Sequence, residues 1–283
     1  MSAPVSHSLK LQFAESMADV LIHATENDNP VLSVMTTPVT TTLASGHEPG
    51  SHPVVESLSR RYDVDRIVVH KMLREAECRP AALVSLRSSI KLLSFFVVWA
   101  NDGMERMHSR GLAKALVRSL FALASYKDNS QCLAPTTETC CMFLEKTFHD
   151  GYTFVADAID AHVFYALLKL ADSDNDSESF RDKALEGAHR LFFTVKRFLV
   201  YRSVLNRMDR ERDFLLRKFP ELMGDIEAGE TYHSYEKELR DVTKIVDHYQ
   251  DERRHFKNTW AYRACCLNCQ VNMISSLTSS LLH

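Results

Sequence analysis

Leu83, Leu86, Ile90, Leu93 and Val97 are separated by steps of three and four residues, and so are Leu112, Leu116, Leu120 and Leu123. A helix advances about 100° per residue, so each of these sets falls on a single helical face. Val155, Ile159, Val163, Leu167 and Leu170 repeat the spacing, as do Leu185, Ala188, Phe192, Val195 and Leu199. Apolar stripes of this width cannot stay in water, and each helix must bury its stripe against another. Breakers are scarce: 8 Gly and 8 Pro occur in 283 residues, and several of the prolines fall before position 54. The separators "ANDGMERMHSRG", "SYKDNSQCLAP", "FHDGY" and "ADSDNDSES" are short and polar. The chain is therefore expected to be all-α, with helices stacked in antiparallel pairs. No strict tetratricopeptide or ankyrin period is present, so the expected architecture is an irregular armadillo- or HEAT-like stack.

Three regions follow. Residues 1–53 hold a first helical stretch, about Leu9 to Ala24, and the Thr- and Pro-rich run from Pro30 to Pro53, expected to be irregular. Residues 54–263 form the helical stack, and residues 264–283 a short tail. A hydrophobic content of 45% is ample for a core. The most apolar run, "LLSFFVVWA", is shorter than the roughly 20 residues a bilayer requires. It reads as a buried helix with Phe96 and Trp99 in the core, and no membrane association is expected. The first residues lack the cationic start and sustained apolar run of a secretory signal. The odd count of seven cysteines has no disulfide-framework spacing, which favours an intracellular location, cytoplasmic or nuclear.

A net charge of -3 provides no overall basic field for a phosphate backbone, and no nucleic-acid partner is expected. The run "VKRFLVYRSVLNRMDRERDFLLRKF" does carry a basic stripe interleaved with aromatics, but the acidic run "YHSYEKELRDVTKIVDHYQDE" follows it. Two antiparallel helices with complementary faces account for both. Tyr232, Tyr235, Leu239, Val242, Val246, Tyr249, Phe256 and Trp260 continue the three-and-four steps, broken only at Arg253. This last helix is expected to close the stack rather than to form a coiled coil.

Asp172, Asp174 and Asp176 match positions one, three and five of a calcium loop, but Ser177 stands where the turn needs Gly and Lys183 where it needs Glu. A solvated acidic loop that caps the next helix is the expected reading. Cys140 and Cys141 lie side by side on a helix and read as buried small hydrophobes, with at most one facing any given site. His162 lies next to the apolar face of "DAIDAHVFYALLKL" and reads as a satisfied core histidine rather than a ligand or base. There is no G-x-G-x-x-G and no P-loop. A site assembled from distant residues would leave no such signature. Cys266 and Cys269, with Cys265 as a register alternative, form the only spacing with intrinsic metal-binding value. Two thiolates need two further ligands to close a zinc site, and His255 and His283 are the nearby imidazoles.

The order of "DGYTFVADAIDAHVFYALLKLA", "VKRFLVYRSVLNRM", a charged helix with Trp and finally "WAYRACCLNC" resembles helical proteins of mushroom-forming fungi that end in a MYND-type zinc finger. The resemblance runs from about Val54 to Cys269. It implies that Cys266 and Cys269 open a finger that binds zinc through several Cys pairs and a closing His-and-Cys element. The remaining "VNMISSLTSSLLH" has no Cys and no charged residue, so the pair is expected to be the stub of a truncated finger. Fingers of this kind are associated with protein contacts, often with proline-containing peptides. The expectation is a non-enzymatic helical scaffold for protein or peptide partners, without a cofactor. Two alternatives stay open: a zinc-binding MYND-type regulatory protein, if other ligands complete the pair, and an enzyme with a site between helices.

Overall fold

The three-and-four spacing becomes helix at its described positions, except Leu199, which lies in a turn. The computed structural model describes residues 64–78, 103–126, 133–171, 178–221 and 234–257, with scattered helical positions between 12 and 23, at 57 and between 83 and 93. The principal helices are α1 (Val64–Glu77), α2 (Gly103–Ser109), α3 (Leu112–Ala124), α4 (Leu133–Asp150), α5 (Tyr152–Asp160), α6 (Val163–Ala171), α7 (Glu178–Lys196), α8 (Arg202–Lys218) and α9 (Ser234–Lys257). No strand occurs among the described residues, and the fold is all-α. None of the described helices is long and apolar enough to cross a membrane.

Local chemistry sets several of the joints. Gly111 takes φ 87 between α2 and α3, a left-handed turn that costs a residue without Cβ little. The run from Val155 to Leu170 divides into α5 and α6, although no Gly or Pro marks the break. Ala161 N–H donates to Asp157 O at 3.0 Å and His162 N–H to Ile159 O at 2.9 Å, and His162 itself adopts φ 65. The "VKRFLVYRSVLNRM" run divides too: α7 ends at Lys196, residues 197–200 form a turn, and α8 starts at Arg202. Both breaks leave the apolar positions Val155, Ile159, Val163, Leu167, Val195 and Leu199 buried. A sum of stripes therefore cannot reveal where one helix stops and its successor begins.

Three of the helix packings follow one rule. α3 lies on α6, α4 on α7 and α5 on α8, so these three helices each rest on the third one along, while α1 packs on α3, α6 on α7 and α9 on α7. Lys183 meets Glu138 and Arg190 meets Glu145, so α4 and α7 run in the same direction. Consecutive α8 and α9 run antiparallel, since Arg212 pairs with Asp247 while Gln250 donates to Asp209 at 3.0 Å. This is the expected pairing of the basic and acidic helices. Lys196 at the end of α7 bonds Glu238 and Asp241 of α9 and ties the acidic helix to the stack as well.

The core is continuous through the stack. Phe164 of α6 and Phe192 of α7 lie face to face with centroids 3.8 Å apart, and Phe143, Phe148, Leu116 and Leu120 are fully covered. Cys140 and Cys141 are both buried, because α4 has α3 and α5 on one side and α7 on another. Burial pushes the Cys141 thiol up to about 12 and the Cys140 thiol well above its ordinary range, so both behave as small hydrophobes. Gly187 permits the close approach of α7. A Cβ there would collide with Cys141 Sγ and lie 3.1 Å from Cys141 Cβ.

Candidate functional site

Helices α5 and α8 lie side by side and run the same way. At their starts Tyr152 and Tyr201 stack with centroids 4.4 Å apart, and at the end of α5 Asp160 reaches Arg207 and Arg210. Eight residues of helix separate Tyr152 from Asp160, which makes the seam about 12 Å long. One end is aromatic and the other is ionic.

The ionic end opens into a groove of about 370 Å³ between the α5–α6 corner and the exposed face of α8. His162 forms the corner. Its left-handed backbone is unusual for a residue with a Cβ, and such conformations persist where surrounding contacts hold them. Here the contacts are specific. His162 Nδ1 lies 2.6 Å from Glu211 Oε2, its ring stacks on Phe214 at 4.3 Å, and Tyr165 N–H donates to Glu211 Oε1 at 3.4 Å. Glu211 is only 2 % exposed, and burial pushes its carboxyl upward against the opposing pull of the His162 bond. When Glu211 is ionised it accepts the Nδ1 proton and leaves Nε2 as the outward-facing acceptor. Nε2 has no hydrogen-bond partner among the described residues.

Three guanidiniums line the same groove. Arg207 Nε donates to Asp160 Oδ2 at 2.5 Å and Arg210 Nη2 to Asp160 Oδ1 at 3.3 Å. One carboxylate therefore orients two cations without neutralising both. Arg217 donates from Nε to the Asp213 carbonyl at 3.1 Å and has no carboxylate partner among the described residues. Asp213 is itself engaged by Arg212. Burial raises the Asp157 carboxyl one turn before Asp160, partly offset by Arg207.

The aromatic end is apolar and open. Val200 is 69 % exposed, and Phe193, Tyr201 and Tyr152 are exposed with it. Arg197 lies over the Phe193 ring at 5.0 Å, and neither Arg197 nor Arg202 forms an ion pair among the described residues.

The expectation for His162 is corrected by this geometry. It is half-exposed in a turn, with its one buried partner 49 residues away in sequence, and so it is not a core histidine. Sequence reasoning also missed Glu211 and Asp160, and it placed Arg210 and Arg217 only in the basic stripe facing the acidic helix. The only available signal was an acidic residue at an otherwise apolar position of α8, at the spacing of Val204, Met208 and Leu215. Cys265, Cys266, Cys269 and His283 lie outside the described residues, as do Phe96, Trp99, the loop at 172–177, the Pro30–Pro53 segment and the His255 side chain. Among the described residues no group of three or more His, Cys, Asp or Glu is placed to hold a metal ion. The class that fold and site define is an all-α protein with a groove along one helical seam. No protein-family model matches the chain, and no curated protein is significantly similar to it.

Proposed function

We propose that this chain is a non-enzymatic helical scaffold that binds a protein partner along the α5–α8 seam. The observation that carries the reading is the exposed Tyr152–Tyr201 stack with exposed Val200 beside it, at the head of a seam whose far end is ionic, and Phe193 is exposed on α7. Aromatic side chains give large contact area at little entropic cost, and apolar groups left together in water favour a partner. Arg197 and Arg202 flank this group, so the partner segment is acidic with apolar anchors. The packing of α3, α4 and α5 each on the third helix along supports an armadillo-like stack, in which equivalent helices of successive units run in parallel. Such stacks present extended surfaces of this kind.

Selection of peptides from a random library on the intact chain tests the proposal. The expected winners are acidic segments with one or more aromatic or branched residues, and Val200→Asp or Tyr201→Ala should weaken them at least roughly tenfold. Peptides that bind both variants as well as the parent would place the partner surface elsewhere and overturn the reading.

A second reading, an enzyme, is favoured by one observation. The Glu211–His162 pair holds an imidazole in the tautomer of a general base. The groove lining contains no Ser, Thr or Cys, so the groove supplies a base and cations but no nucleophile of those kinds among the described residues. Turnover of a phosphate or carboxylate ester that disappears in His162→Asn would support it, and equal turnover in that variant would exclude His162 as the base.

A further inference from the structure

We infer that the groove at the ionic end of the seam is a binding site for a phosphate monoester. It rests on the geometry of the groove and does not require the peptide reading. Three arginines converge with an imidazole on one concavity, and the carboxylates around them are already committed. Asp160 is shared between Arg207 and Arg210, Asp213 is held by Arg212, and Glu211 lies behind the His162 ring at 2.6 Å from Nδ1. The lining carries three guanidiniums and three carboxylates, and of those carboxylates only Asp160 pairs with the lining arginines. Arg210 is 72 % exposed at its side chain and holds Asp160 through one nitrogen, and Arg217 has no carboxylate partner among the described residues, so each has donors left for an arriving oxyanion. Planar guanidiniums bond tetrahedral phosphate in pairs, and a dianion matches two or more such forks better than a carboxylate does.

Three features make this a built site. Asp160 accepts from Arg207 Nε across the seam, while Arg207 Nη1 donates to the Ser203 carbonyl of its own helix at 3.2 Å, and together they fix the guanidinium. The His162 ring is clamped between Glu211 and Phe214, which leaves Nε2 at the groove with no partner among the described residues, and in the imidazolium form Nε2–H donates to a phosphate oxygen. The backbone of His162 is held left-handed to put it there. Ile159 and Phe214 add apolar wall, and a volume of about 370 Å³ exceeds what a lone phosphate needs. The ester's organic part therefore has a place to lie, and an ester is preferred to inorganic phosphate.

The test uses the intact chain labelled with ¹⁵N-histidine, titrated with phenyl phosphate and, in parallel, with benzoate and inorganic phosphate. A saturable shift of His162 Nε2 with phenyl phosphate is expected, weaker with inorganic phosphate and weakest with benzoate. Arg217→Ala and Arg210→Ala should each weaken the interaction roughly tenfold. Arg202→Ala, exposed on α8 outside the groove lining, should leave it unchanged. A phosphoserine peptide and adenosine monophosphate distinguish a protein-borne ester from a free one, and the tighter of the two names the source. A shift that stays linear with concentration, an equal response to benzoate, or an equal loss in Arg202→Ala would overturn the assignment. Binding of phenyl phosphate that survives Val200→Asp, while selected peptides are lost, separates this site from the partner surface.

Discussion

Glu211 is where one residue does most to shape the molecule. It stands at a buried position of α8 and accepts from His162 and from the Tyr165 backbone, so replacing it removes the acceptor of two groups at once. Glu211→Ala should cost about 1–3 kcal/mol in urea unfolding, the penalty for buried donors left without partners. Its pH dependence has a definite sign. Burial raises the folded carboxyl above the ordinary glutamate value of about 4.3, so the folded chain holds this proton at a pH where the unfolded chain has lost it. The contribution is complete below the unfolded value and is lost as pH rises through the folded one. Wild type should therefore lose stability relative to Glu211→Gln across that window, and a flat difference between the two would refute the assignment. Gly187 acts through space. Gly187→Ala should destabilise by about 1–3 kcal/mol through overpacking against Cys141, and combining it with Cys141→Ala should cost less than the sum of the two changes. Of these residues only the cysteines were legible beforehand, because burial of a small thiol follows from the stripe alone. The partner of His162 comes from a helix that begins 40 residues later, and nothing local marks it.

At the scale of elements, the stripes predicted helix and burial, and they did so because period 3.6 is a property of each segment by itself. The breaks at 161–162 and 197–200 were not legible, since the apolar positions keep their steps straight through both. The meeting of α8 with α9 was legible from charge, although it comes down to Arg212 and Asp247, while Arg207 and Arg210 of the same basic run turn to Asp160 of α5. That pairing guides more than it stabilises. Asp247 is 58 % exposed at its side chain, so Asp247→Asn should cost about 0.2–1 kcal/mol, shrinking in 1 M salt as an exposed pair is screened. The contact between α6 and α7 is of another order. Phe164 and Phe192 are fully buried and stacked, and Phe164→Ala should cost about 3–5 kcal/mol through lost transfer energy and the cavity left behind. A measured change under about 1 kcal/mol would mean the two helices close over the gap.

One core runs through the described residues from Ala18 to Val246. On the truncated-finger reading the Cys266 and Cys269 pair lacks the ligands that would close a zinc site. Cys266→Ser with Cys269→Ser should leave the thermal midpoint unchanged, as should a chelator, in a scan of the intact chain. A loss of several degrees together with loss of bound zinc would show that a metal site supports the stack. What the sequence determined by itself was the class of structure: helices, because the apolar steps are local, and their burial, because the stripes are too wide for water. It also determined that α8 and α9 would meet, because opposite charge is written along both. Tertiary structure alone decided that α5 should lie beside α8 in the same direction, and that His162 should turn out of its helix onto a carboxylate 49 residues away. Those contacts depend on which helix rests on which. Such an arrangement is selected by the joint packing of many faces and is not carried by any one of them.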